Sequence, residues 1–421
     1  MDFIILAGGN STRINSSIPK IFQEIAGKPC ISYVIDCCLE ITSPQNVIVV
    51  TKQEFANHEL FKGLQIAIQK DPLGTGDALK CAIPFLKNES VVVVCADTPL
   101  LLSEHFNQLL LSEKEASLIA MRLPDELIHM QYGRIIDGKV VEYNEIPLEE
   151  KKNNLVNSGI YKFNTNFLKS NIDRLSNNNS KNEYYITDIL QNSKTEIFIS
   201  DDYWTFHGIN TQEDLVNAEK IMQDRLRKKM TQNGARLLDP DTVYFSAATL
   251  IEKDAIVEQN VIFKGRVTVK SGAIIKAFSY IEDCVIEKGA KIGPFARIRG
   301  NSNIAENSEI GNFVEIKSSI IGRDSKAKHL AYIGDSEVGE SVNIGAGTIT
   351  CNYDGVRKHK TVIKDKVMVG ANCSLVAPIT LGTGTVVGAG STITEDTKEN
   401  TLAIARARQQ NKETNPNGKT E

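Results

Sequence analysis

No apolar run in these 421 residues approaches the ~20 residues that a membrane-spanning helix needs. Charge of one sign is missing too: 48 Lys and Arg stand against 52 Asp and Glu, for a net charge of -4. Such a balance offers no basic field for a nucleic-acid backbone, so neither a membrane nor a nucleic acid is expected as a partner. The eight cysteines never form a C-x-x-C pair and sit mostly in apolar runs, where a free thiol behaves as a small hydrophobe. Disulfide frameworks and zinc sites are therefore not expected. The opening MDFIILAGG carries an acid at position 2 and an apolar stretch too short for a signal peptide, so the expected compartment is the reducing cytoplasm.

The length exceeds one ordinary core, and the chain changes grammar partway. Up to about residue 210, FIILA (3–7), NVIVV (46–50) and SVVVVCA (90–96) read as buried strands, with helix-like segments at 30–40 and 76–87 between them. Continuous β-branched runs suit a parallel sheet covered on both faces, which predicts a doubly wound, Rossmann-like α/β domain over 1–210. Ligands then belong at the carboxyl ends of the strands. Residues 211–234 lack proline and end at Gly234, predicting a linker helix, read as a solvated strut because most of its surface is charged.

From 235 to 421 the signal is a period of six. Ile251, Val257, Phe263, Val269, Ile275 and Ile281 are six apart; after one slip the series resumes at Ile286, Ile292, Ile298, Ile304, Ile310 and Ile316. Val369, Leu375, Leu381, Val387 and Ile393 form a third run. Helices repeat at ~3.6 and flat strands at 2, so a strict six predicts a parallel β-helix of hexapeptide repeats. Two stretches, 322–332 and 351–361, break the pattern and read as loops thrown out of the solenoid.

Chemistry concentrates at a few points. The first strand runs into GGNSTR (8–13), with PK at 19–20. Small residues at a strand end let backbone N–H groups approach a phosphate, which Arg13 and Lys20 can neutralise. Asp97, at the end of the 90–96 strand, suits either a Mg²⁺ against a nucleotide or a helix N-cap. His329, flanked by Lys326, Lys328 and Tyr332, is either an inert loop histidine or a base. The final NPNGKTE reads as disordered.

GGNSTR…PK resembles the L-x-x-G-x-G-T-R-(x)n-P-K signature of sugar-phosphate nucleotidyltransferases, with Ser11 in place of its second glycine. With QKDPLGTGDA (69–78), YGR (132–134), NSG (157–159), GIN (208–210), GNFVEIKSS (311–319) and NIGAGTITCNYDG (343–355), the whole chain is similar to the bacterial bifunctional N-acetylglucosamine-1-phosphate uridylyltransferase/glucosamine-1-phosphate N-acetyltransferase family. That resemblance implies a left-handed β-helix, a homotrimer, Mg²⁺, and UTP and acetyl-CoA as co-substrates. It implies nucleotide contacts from Leu6, Ala7, Gly8, Gly9, Gln69, Gly74 and Thr75. It implies sugar contacts from Gly133, Glu145 and Asn157, Mg²⁺ ligation by Asp97 and Asn210, and a phosphate-binding pair in Arg13 and Lys20.

In the tail the resemblance implies His329 as the general base, oriented by Glu315. Sugar-phosphate contacts would come from Arg299, Lys317, Tyr332, Asn343, Asn352 and Tyr353, and acetyl-CoA contacts from Ala346, Ala371, Ala389 and Arg406. TLAIARARQQNKE (401–413) would bring Arg406 and Arg408 to the coenzyme's phosphates, a solvated basic tail being the other reading. The chain departs from the family at Gly8 (usually Ala), Cys95-Ala96 (Tyr-Gly), Ile146-Pro147-Leu148 (His-Lys-Asp) and Ala371 (Ser). Two other readings stay open. One is a nucleotidyltransferase whose β-helix only assembles subunits, which the His329 and NYDG segments count against. The other is a scaffolding protein with a decayed head, which the departures in the head favour.

Overall fold

The computed structural model describes residues 1–9, 12–191 and 193–412. The Ser11 departure, Glu413 and the NPNGKTE segment lie outside the described residues. The chain divides into two compact units, Met1–Met222 and Gln223–Glu421.

In the first unit, β1 (Asp2–Leu6), β2 (Val47–Thr51), β3 (Gln65–Ile68), β4 (Ser90–Cys95), β5 (Ala116–Arg122), β6 (Leu155–Asn164) and β7 (Glu196–Ser200) form one sheet in the order β7-β5-β6-β4-β1-β2-β3. β1 is parallel to β2 and β4, and β2 to β3, whereas β6 runs antiparallel to both β4 and β5. The sheet is therefore mixed. Alternate residues of each strand feed two cores: Phe3, Ile5, Val47, Val49, Val92 and Val94 on one face, Ile4, Ile48, Val50, Val91 and Val93 on the other. Helix α1 (Cys30–Leu39) supplies Ile31, Val34 and Ile35 to the first, and α2 (Thr75–Ala82) supplies Ala78, Leu79 and Ala82 to the second. Both faces being covered explains the continuous apolar runs of the strands. Chain order reverses about β1 and β4, and such a switch point leaves a crevice at their carboxyl ends.

Helix α3 (Gln212–Gln232) carries the division between the units within its length. The solvated-strut reading is corrected here. Asp214, Ala218, Met222, Leu226 and Met230 are all buried, one residue per turn at a spacing of four. A stripe this narrow is diluted by its charged neighbours and is hard to read as amphipathic.

The second unit is a left-handed parallel β-helix. Strands at Ile256–Val257, Ile274–Ile275, Lys291–Ile292, Glu309–Asn312, Lys326–His329, Asn343–Ile344, Met368–Val369, Val386–Val387 and Leu402–Ala403 pair in parallel, each with the next, along one face. The hexad residues named above point inward and are buried. Segment 322–332 is not a loop. Ile321, Ala327 and Ile333 continue the inward series, and Lys326–His329 is a regular strand. The signal fades there because Ala327 is small, and because the steps from Ile316 to Ile321 and from Ile333 to Val338 are five residues long. Inward Thr350 hides the next position, with its hydroxyl oxygen 3.2 Å from the Gly334 carbonyl. The second interruption is a true excursion: the segment around Asn352–Lys360 leaves the solenoid.

Candidate functional sites

In the first unit, Leu6, Gly8, Gly9, Arg13, Gln69, Gly74 and Thr75 line one cleft of about 580 Å³, joined by Gln131, Lys181 and Glu183. Ala7 is buried, its N–H donated to the Val50 carbonyl at 2.8 Å. Gln69 sits one residue past β3 and is buried. Gly74 has φ 110°, and a Cβ there would stand 2.5 Å from the Tyr184 carbonyl oxygen, so only glycine closes this turn.

Beside the cleft lies an ionic cluster. Lys20 Nζ bonds the Asp97 carboxylate and lies 3.0 Å from Asn210 Oδ1, which also accepts from Arg13 Nη2 at 2.7 Å. No helix starts at Asp97 among the described residues, so the N-cap alternative is set aside. Asn210 is held from behind: its backbone N–H and that of Thr211 donate to Asp214 Oδ2 at 2.9 and 2.8 Å. His207 Nε2 lies 2.8 Å from the other carboxylate oxygen. Burial alone would raise the Asp214 pKa, but these hydrogen bonds outweigh it and hold it at about 2. Gly208 leaves room for Asp97, whose oxygens lie 3.1 and 3.2 Å from where a Cβ would be.

Two oxygens, Asp97 Oδ2 and Asn210 Oδ1, thus converge on one positive charge. That donor set fits a hard cation taking its remaining ligands from a bound triphosphate and water. Among the described residues no group of three or more His, Cys, Asp or Glu side chains forms a self-contained metal site.

Asn157 and Gly133 are brought together by the Asn157 N–H to Gly133 carbonyl bond of 3.0 Å, and Asn157 Nδ2 donates to Tyr161 Oη at 2.6 Å. Glu145 is exposed and accepts from Ser180 Oγ at 2.6 Å. The more enclosed carboxyl is Glu142, three residues earlier, bonded to Thr187 Oγ1 at 2.8 Å with its pKa raised by burial. Sequence spacing gave no means of choosing between them. Cys95 stays a neutral thiol, pushed up to about 12 by burial and then by Asp97.

On the β-helix, His329 ends its strand exposed, with Nδ1 2.6 Å from Asn312 Oδ1 one turn below. Glu315 is engaged elsewhere, accepting from Arg299 Nε at 2.7 Å. The partner observed for His329 is therefore Asn312, which sequence reasoning missed. Their 17-residue separation carries no local signal, although it is one coil of the solenoid. Arg299 and Lys317 are paired neighbours on the adjoining face, with Tyr332 on the next turn opposite Glu315. Lys358, also missed, lies beside Lys317, and that neighbouring like charge lowers its pKa. Two neighbouring cations are a pairing suited to receive an anion. Asn352 bonds the Asp335 carboxylate, and Tyr353 Oη donates to the Gly355 carbonyl at 2.6 Å. Asn343 pairs with Lys326 on the His329 face.

Ala346, Ala371 and Ala389 fall two residues beyond the inward Ile344, Val369 and Val387, on three successive turns. His329 stands in the same relation to Ala327, the partner of Ile344. These four residues form one column, and Arg406 Nη1 reaches the Ala389 carbonyl at 2.9 Å.

A mixed α/β sheet with a cleft of nucleotide size at its switch point, followed by a hexapeptide β-helix, defines a two-part transferase. The family profiles agree: the MobA-like NTP transferase domain matches residues 3–139, the GMPPB C-terminal domain 280–373 and the bacterial transferase hexapeptide repeats 360–395. The bifunctional protein GlmU of Carboxydothermus hydrogenoformans is 39% identical over 98% of this chain and 99% of its own length. Those of Thermosipho africanus (37%, covering 97% of this chain and 95% of the relative) and Wolbachia pipientis wMel (39%, 97% of each) are similar over the same extent. The chain belongs to the bifunctional GlmU family.

Proposed function

We propose that this protein makes UDP-N-acetylglucosamine in two steps at two sites, and that its functional division is 1–210, 211–234 and 235–421. On the β-helix, the amine of glucosamine 1-phosphate attacks the thioester carbonyl of acetyl-CoA. The C–N bond forms, the C–S bond breaks, and the amine proton passes through His329 to the departing thiolate. Imidazole is the side chain that exchanges protons near neutrality. Asn312 Oδ1 at 2.6 Å supports a tautomer with the proton on Nδ1, leaving Nε2 as the basic atom. Arg299, Lys317 and Lys358 receive the sugar phosphate, with Tyr332, Asn343, Asn352 and Tyr353 around the sugar. The observation that carries this reading is the column His329–Ala346–Ala371–Ala389. Three steps of ~4.8 Å between coils give an extended groove of ~14 Å. Small side chains along it leave room for an outstretched acyl arm, with Arg406 at its far end for phosphates. Ala371 offers that arm no hydroxyl, a loss of about 1 kcal/mol against a serine.

In the head, a phosphate oxygen of N-acetylglucosamine 1-phosphate attacks the α-phosphorus of UTP, and the bond to pyrophosphate breaks. Arg13 and Lys20 neutralise and position the phosphates, Gly133 and Asn157 hold the sugar, and Asp97 with Asn210 would hold Mg²⁺. Mg²⁺ bound there supplies charge neutralisation for the triphosphate. Glu145 and the nearby Glu142 are the carboxylates available to sugar hydroxyls. Among the described residues no helix is long and apolar enough to cross a membrane, and we propose a cytoplasmic enzyme.

We further propose a homotrimer. Phe278, Phe295 and Phe313 stack up one corner of the solenoid at centroid spacings of 5.0 and 5.2 Å, followed by Leu330. All four are 45–61% exposed, and all have φ between 51° and 60°. Bulky residues in the left-handed region are strained, and four in a column point to a surface covered by another copy. Replacing Phe295 and Phe313 by Asp, which tolerates that conformation, is expected to shift the mass in light scattering from trimer to monomer and to abolish acetyl transfer while sparing uridylyl transfer. A variant that stays trimeric contradicts this assignment.

A further inference from the structure

The cleft of the first unit contains an orientation lock that the reaction chemistry does not require. Gln69 Nε2 donates to Asp77 Oδ2 at 2.8 Å and to the Gly74 carbonyl at 3.1 Å. A carboxylate and a backbone carbonyl are both acceptors only. The amide nitrogen must therefore face them, since turning the amide over would set its oxygen against two other oxygens. The usual ambiguity of an amide side chain is absent here. Both N–H groups of Gln69 are spent, and Oε1 is committed to the opposite side, over Gly8. That position is open only because residue 8 is glycine: a Cβ there would stand 2.2 Å from Oε1. An alanine there would push the amide aside. Asp77 itself sits in the first turn of α2, and Gly76 N–H bonds the Tyr184 carbonyl at 2.7 Å, which fixes the start of that helix.

We infer that Asp77 is a positioning residue that sets nucleobase preference, by forcing Gln69 to present an acceptor and never a donor to the base. This rests on the uridylyltransferase reading of the head. Uracil carries an N3–H donor on its pairing edge and matches Oε1. Cytosine carries a lone pair at the same ring position, so its edge sets an acceptor against an acceptor. The rejection is electrostatic and does not depend on the size of the base. Cytosine and uracil fill nearly the same volume, so shape cannot separate them. A carboxylate at position 77 can only hold the amide one way. An amide there can rotate to offer its own N–H groups to Oε1, which leaves the longer 3.1 Å contact to the Gly74 carbonyl alone in opposing a Gln69 whose donors face the cleft.

The test is Asp77→Asn in the full-length protein, read as the ratio of UTP to CTP. In pyrophosphate release with N-acetylglucosamine 1-phosphate, the kcat/KM ratio of UTP over CTP is expected to fall ~10–100-fold, with UTP losing and CTP gaining. A merely structural role for Asp77 lowers both nucleotides together and leaves the ratio unchanged, which overturns the inference. Calorimetric titration of the wild type and of the variant with UTP and with CTP, in the presence of Mg²⁺, reads the same preference without turnover. A wild type that binds the two equally also overturns it. If wild-type binding favours UTP, the variant erases that preference, and neither protein releases pyrophosphate, the inference stands and the uridylyl-transfer reading falls.

Discussion

His329→Ala is expected to reduce acetyl transfer from acetyl-CoA to glucosamine 1-phosphate by ~10²–10⁴-fold, the range that a positioned general base supplies. Uridylyl transfer by the same preparation should be unchanged. The residue ends the regular strand Lys326–His329, and its side chain is exposed, so truncation removes no core packing. Exposed surface substitutions of this kind usually move stability by no more than about 0.5 kcal/mol. A loss confined to one of the two reactions would thus be chemical rather than structural. Release of the coenzyme A thiol from acetyl-CoA, followed alongside the melting temperature, checks both points. Normal acetylation by the variant would remove His329 from the mechanism.

The second large effect is expected at Asp97. Asp97→Asn keeps the volume that Gly208 accommodates, but removes the charge that Lys20 meets. Pyrophosphate release from UTP should fall ~10²–10³-fold or more, as when one element of charge stabilisation is taken from a transition state. Acetyl transfer should persist. Extra Mg²⁺ should recover only part of the loss, because the amide oxygens then at positions 97 and 210 are both neutral. A variant with unchanged rate and unchanged Mg²⁺ dependence would show that the cation is held elsewhere.

Different parts of this molecule were legible in the sequence to different degrees, for physical reasons. The solenoid declares itself because one inward apolar residue recurs per short strand, and nothing else produces a six-residue period. It went unread between Ile316 and Val369, where small Ala327 and polar Thr350 occupy inward positions and five-residue steps break the count. The head's strands were legible as apolar runs, but the antiparallel direction of β6 was not, since direction leaves no mark on composition. Residues drawn from contiguous motifs, Leu6 to Gly9 and Gln69 to Thr75, converge on one cleft. Partners distant in sequence, such as Asn312 with His329 one coil on, and Lys317 with Lys358 from the ejected segment, meet only through the winding of the chain. Asp77 was invisible for a similar reason. Its role depends on the conformation of Gln69 and on the absence of a side chain at Gly8.

The central claim, two reactions in one chain, is tested most directly by a single incubation of purified wild-type protein. It would contain glucosamine 1-phosphate, acetyl-CoA, UTP and Mg²⁺. Free coenzyme A, pyrophosphate and UDP-N-acetylglucosamine are measured together, and the account predicts all three in equal amounts. Coenzyme A without pyrophosphate would contradict it by showing a head that no longer works, and no coenzyme A release would reduce the β-helix to a scaffold.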